Sequence, residues 1–167
     1  MTSDKPLLTF LHPVLTENDK TPTNPSIQRL QKELYTNARA IHSTRGGGAN
    51  GHLALVMEPA AYLLRSQVDF IPPTHPGTAP VHLATATQHQ ITETNHQFSH
   101  NLTDFYLYTS VREELKKQLL VAVPNRYLSI LEDPIFGYAD VTCNAMLTHL
   151  QTEYAQITNE DIELNRS

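Results

Sequence analysis

The chain is 167 residues long, with 40% hydrophobic and 17% charged residues, no Trp, a single Cys and a formal net charge of −5. That length supports one compact domain with tails, and a lone cysteine excludes both an internal disulfide framework and a multi-cysteine zinc module. The acidic balance argues against nucleic-acid binding as the main task, and no apolar run approaches the roughly 18 residues of a membrane-spanning helix, so a cytoplasmic chain with no signal peptide and no membrane contact is expected.

Residues 1–25 read as an extended N-terminal arm, because Pro6, Pro13, Pro22 and Pro25 interrupt every helix that could start there. Its apolar cluster, Leu7, Leu8, Phe10 and Leu11, can dock on the domain or on a neighbouring molecule, and is a candidate contact surface. Residues 26–167 read as a single helical domain, truncated at its C-terminal end. The first helix is predicted from Ser26, as its cap, to Ile41, with Ile27, Leu30, Leu34, Ala38 and Ile41 on one face. Gly46, Gly47, Gly48 and Gly51 then stop any helix and form a flexible loop, the second candidate assembly element. For Leu53–Met57, periodicity does not separate a strand paired back onto 41–44 from the start of a helix, so a short β-hairpin around the loop stays open. Pro59 suits the first turn of a short helix through Ser66.

Residues 67–81 hold Pro72, Pro73, Pro76, Gly77 and Pro80 and read as an extended connector. The longest helix is predicted from Thr85 to Val123, with one continuous stripe through Ile91, Phe98, Leu102, Phe105, Tyr108, Val111, Leu115, Leu119 and Ala122 and a kink at 101–103. A short helix from Pro124 to Leu131, a loop marked by Asp133-Pro134 and Gly137, and a helix from Ala139 to Tyr154 follow. Thr158-Asn159-Glu160-Asp161 reads as a cap with an acidic first turn, opening a last helix.

No convergent acid, base and nucleophile emerges from these elements, and a non-enzymatic chain without a cofactor is expected. The glycine loop lacks the preceding strand and the Gly-Lys-Ser/Thr ending of a phosphate loop. No Gly-x-Ser-x-Gly elbow occurs. Cys143, early in its helix, reads as a small core residue. Histidine is the unusual component. Nine copies take the formal charge from −5 to +4 on full protonation, near the unperturbed pKa of about 6.5, so any assembly should respond to pH between about 7 and 5. His75, His82, His89 and His96 recur every seven residues, and Glu93, His96 and His100 share a helix face. The di-iron pattern fails for want of a second Glu-x-x-His. A helical metal-binding or hydrolytic protein built on Glu93, His96 and His100 is the alternative. A third reading is an interaction module that takes a peptide between the long helix and the 139–154 helix.

One further pattern joins several of these segments. Asn37 to Gly48 (NARAIHSTRGGG), Gly51 to Met57 (GHLALVM), Pro73 to Pro80 (PTHPGTAP), Leu115 to Leu120 (LKKQLL), Gly137 to Thr142 (GYADVT), Met146 to Leu150 (MLTHL) with Tyr154, and Ile157-Thr158 through Asp161, Glu163 and Asn165 occur in this order. In that order and spacing, residues 25–167 resemble the N-terminal half of Gag-like proteins of copia-type LTR retrotransposons. The resemblance implies a mainly α, multi-helix capsid-like bundle that self-assembles. Its partner would be further copies of itself, with RNA held only through regions absent from this chain. The zinc knuckle, protease and basic tail of such polyproteins are absent, and the chain could be a fragment, a decayed copy or a host-adopted remnant.

Overall fold

A computed structural model describes residue 10, residues 21–43 and residues 48–155. Among the described residues the fold is mainly α, with four α-helices: α1, Asn24–Ala40; α2, Pro59–Ser66; α3, Gln88–Ala122; and α4, Cys143–Leu150. No helix among the described residues is long and apolar enough to cross a membrane.

Helix α1 begins two residues before the expected cap. Thr23 is the N-cap, and Ser26 is its reciprocal partner: the Ser26 amide donates to Thr23 Oγ1, while the Thr23 amide donates to Ser26 Oγ at 2.8 Å. Pro25 fits inside the first turn, where its missing N–H would have had no helical acceptor. Ile27, Leu30, Leu34 and Ala38 are buried as the stripe requires. Helix α2 keeps the expected bounds, Pro59–Ser66.

The strand alternative at 52–57 gives way to helical turns. Among the described residues no strand occurs; 48–50 and 53–55 are single 3-10 turns, and the one isolated antiparallel bridge joins Asp133 to Gly137. The reason is local. The 53–55 turn closes through the Val56 amide on the Leu53 carbonyl at 3.1 Å, turning Leu53 and Val56 into the core where a strand would have placed them on opposite faces.

Helix α3 is capped by a Thr87/Gln90 box and runs unbroken through 101–103, so no break marks the expected kink. Its apolar stripe is not continuously buried. Burial starts at Ser110 and continues through Val111, Leu115, Leu119 and Ala122; Ile91, Phe98, Leu102 and Phe105 remain half-exposed. Beyond it, 125–127 and 129–131 form two 3-10 turns in place of the single short helix. Helix α4 starts at Cys143, later than Ala139, because Thr142 supplies the cap that accepts from the Ala145 amide at 3.0 Å. It continues as a π-helical stretch, Gln151–Ala155. The helix expected from Thr158 lies outside the described residues.

The core sits where α1, the second half of α3, and α4 meet, with Leu53, Val56, Tyr62, Val123 and Leu128 closing it. One polar pair crosses it: fully buried Asn37 donates from Nδ2 to Gln118 Oε1 at 3.0 Å. That bond ties α1 to the second half of α3 across the packed interface.

Candidate self-association surface

The contact candidates read from the sequence separate into three groups. Leu7, Leu8, Leu11, Gly46 and Gly47 lie outside the described residues. Of the two places open to the arm's apolar cluster, Phe10 takes the domain itself and is not a contact surface: it is only 6% exposed and packs in the central cluster. Burying a phenyl ring is worth about 1.5–3 kcal/mol, so the ring goes where apolar surface is available to cover it. Gly48 opens the first 3-10 turn.

Gly51 is corrected from flexible element to fixed clamp. It is buried with φ +54°, and a Cβ there would lie 2.5 Å from both the Arg39 and Ile41 carbonyl oxygens. Only glycine allows the chain to return so close to the end of α1. The next residue uses that approach. The His52 amide donates to the Ala38 carbonyl at 2.9 Å, and its ring Nδ1 donates to the Ile41 carbonyl at 2.8 Å. A carbonyl only accepts, so Nδ1 carries the proton. Two carbonyls at the end of α1 are thereby satisfied by a residue beyond the glycine loop. Burial pushes the His52 pKa down, reinforced by His42 and opposed by the Ile41 hydrogen bond and Asp104. Neither Asn37 nor His52 stood out in the sequence; the signal was a glycine placed just before a polar residue shortly after a helix end.

The surface that sequence reasoning missed is the turn at 133–137. Asp133 and Gly137 exchange backbone hydrogen bonds at 2.8 and 2.9 Å. Asp133 Oδ1 accepts from the Ile135 and Phe136 amides at 2.8 and 2.9 Å, and Gly137 closes the turn with φ +61°. The Phe136 and then the Ile135 amide hold the Asp133 carboxyl below its ordinary pKa. The turn is stapled to the body as well: Lys116 Nζ donates to the Tyr138 and Ala139 carbonyls at 2.9 and 3.1 Å, and the Tyr138 hydroxyl donates to Asn125. What this pinned turn presents is apolar. Ile135 is 83% and Phe136 65% exposed, with Ile130 at 79% just before them. The available signal was two large apolar residues inside an Asp-Pro-x-x-Gly turn, where polar residues are usual.

A second exposed region is the first half of α3 with the proline-rich connector. The connector runs back along the helix. The His75 ring meets Phe105 edge-on at 5.2 Å, Pro76 and Pro80 face Phe98 and Asn101, and His82 Nε2 bonds Asn95 Oδ1 at 3.1 Å. Here lie the alternative metal ligands. Glu93, His96 and His100 are all exposed, and His100 Nε2 is 3.5 Å from Asp104 Oδ2. Among the described residues, no group of three or more His, Cys, Asp or Glu side chains is placed to hold a metal ion. Cys143 is buried and its pKa is pushed up to about 12 by desolvation, slightly offset by Lys116, so its thiol stays protonated and unreactive.

No family model, no curated protein and no solved structure matches the chain.

Proposed function

We propose that this chain is a non-enzymatic, capsid-like self-assembly domain, the role that its Gag-like motif order implies, and that the 133–137 turn, with Ile130 beside it in sequence, is one of its contact surfaces. The single observation behind this reading is a turn built to hold Ile135 and Phe136 in solvent. Scattered apolar residues on a surface are ordinary. A turn pinned by an Asp cap, a positive-φ glycine and a lysine clamp, with its tip left apolar, presents those side chains without an ordering penalty on contact. Covering Ile135 and Phe136 would contribute about 1.5–3 kcal/mol each before the cost of association. That is too weak for a tight pair and suited to a lattice in which many such contacts repeat by symmetry.

Light scattering after size-exclusion chromatography over a wide concentration range tests the reading. The parent chain should show mass rising with concentration, and an Ile135→Ser/Phe136→Ser variant should stay monomeric with an unchanged thermal unfolding curve. A parent chain that is monomeric throughout, at varied salt and pH, would remove the proposal.

A further inference from the structure

The polar face of α1 carries a groove of about 350 Å³. Buried Leu53 and half-buried Tyr35 and Met57 line it, together with the exposed side chains of Lys32, Arg39 and Arg65. None of the described residues lining it is acidic, and among the described residues none of the three cations is held in an ion pair. The hydrogen bonds carry the same polarity. Gln151 Nε2 donates to Gln31 Oε1 at 2.9 Å, and Gln31 Nε2 donates to the Tyr35 hydroxyl at 2.6 Å. The hydroxyl accepts there and keeps its own proton to donate. Arg65 uses Nε on Asn50 Oδ1 at 3.1 Å and keeps its two outer nitrogens. A concave apolar surface set among such donors fits a partner that is apolar at its tip and acidic beside it.

The described chain carries a surface of that chemistry. Residues 127–155 contain Glu132, Asp133, Asp140 and Glu153 and neither Lys nor Arg. Exposed Glu132 and Asp133 stand directly before the exposed tip, Ile135 and Phe136. Asp133 gives Oδ1 to the two tip amides, which leaves Oδ2 for a cation. No residue of 130–137 lines the groove, and Lys116 ties the base of the turn to α3. The turn is therefore offered to a groove on another molecule. Resting on the reading of this turn as a contact surface, we propose that the turn of one copy seats in the α1 groove of the next, with Ile135 and Phe136 against Tyr35 and Met57, and Glu132 and Asp133 facing Lys32, Arg39 and Arg65. The two surfaces differ, so the contact is head-to-tail, and each added copy offers a fresh groove or a fresh turn. Contacts of this kind continue into rings or filaments.

Light scattering on two full-length variants and their mixture tests this. The turn variant, Ile135→Ser/Phe136→Ser, keeps its groove; the groove variant, Lys32→Glu/Arg39→Glu, changes two exposed side chains and keeps its turn. Each alone should stay at the mass of one chain at concentrations where the parent assembles. Their equimolar mixture should rise toward twice that mass and no further, because it holds one working groove and one working turn. Adding Glu132→Lys to the groove variant should bring back mass that grows with concentration. A groove variant that folds and assembles as the parent does, or a mixture that stays at one chain, overturns the head-to-tail contact and leaves the turn as a surface that meets something else. A parent that never assembles overturns both readings.

Discussion

The two halves of α3 are one continuous helix in two different solvents. From Ser110 to Ala122 it is a core element, with Val111, Leu115 and Leu119 fully buried against α1 and α4. From Gln88 to Thr109, a length of about 33 Å, no residue is buried, and the proline-rich connector supplies the main cladding. An isolated helix of that polar composition would be marginal, because helix nucleation is unfavourable. Here the buried half supplies the nucleus, and the Thr87/Gln90 box closes the far end. The contrast teaches that secondary structure can extend well past the packing that stabilises it, and that what extends is free for contact.

The comparison is broken most severely by deleting the inner anchor. Leu115→Ala should lose about 2–5 kcal/mol by denaturant unfolding, through lost transfer energy and the cavity left between α1 and α3. Gly51→Ala should follow closely, at about 2–4 kcal/mol, because a side chain would combine a left-handed backbone with contacts of 2.5 Å to two carbonyls. A gentler probe is acid. The folded pKa of His52 lies below its unfolded value of about 6.5, so the native state binds fewer protons than the unfolded one. Stability should therefore fall as pH drops from about 7 through 6.5 and on toward the lowered folded value. His52→Gln, which keeps a donor for the Ile41 carbonyl, should flatten that part of the melting-temperature profile. At the outer half, Phe98→Ala should cost less than about 1 kcal/mol, since its ring is only half-buried. A Phe98 effect as large as that of Leu115 would erase the distinction between the halves.

The fold was largely legible where periodicity and capping carried it. The Ile27-Leu30-Leu34-Ala38 stripe placed α1, and Pro59 placed α2 to the residue. The extent of α3 was readable, but not where its burial begins, because Phe98 and Leu102 keep the same spacing as Leu115 and Leu119. Spacing reports a shared face and is silent on whether anything covers it. The 52–57 segment misled for a related reason: a short apolar run has no period long enough to choose a conformation, and the choice fell to the Gly51–His52 return onto α1. The candidate surface was least legible. Phe10 sits in an arm that proline interrupts, where spacing does not choose between the domain and a neighbour, whereas Ile135 and Phe136 looked like loop filler until Asp133 was found bonded to both of their amides.

The most direct test of the assembly reading is hydrogen exchange of the full chain as a function of its own concentration. The account predicts that exchange across residues 130–137 slows as concentration rises, while 110–122, already enclosed by the core, exchanges at the same rate throughout. Exchange at 130–137 that does not change across the whole concentration range would contradict it.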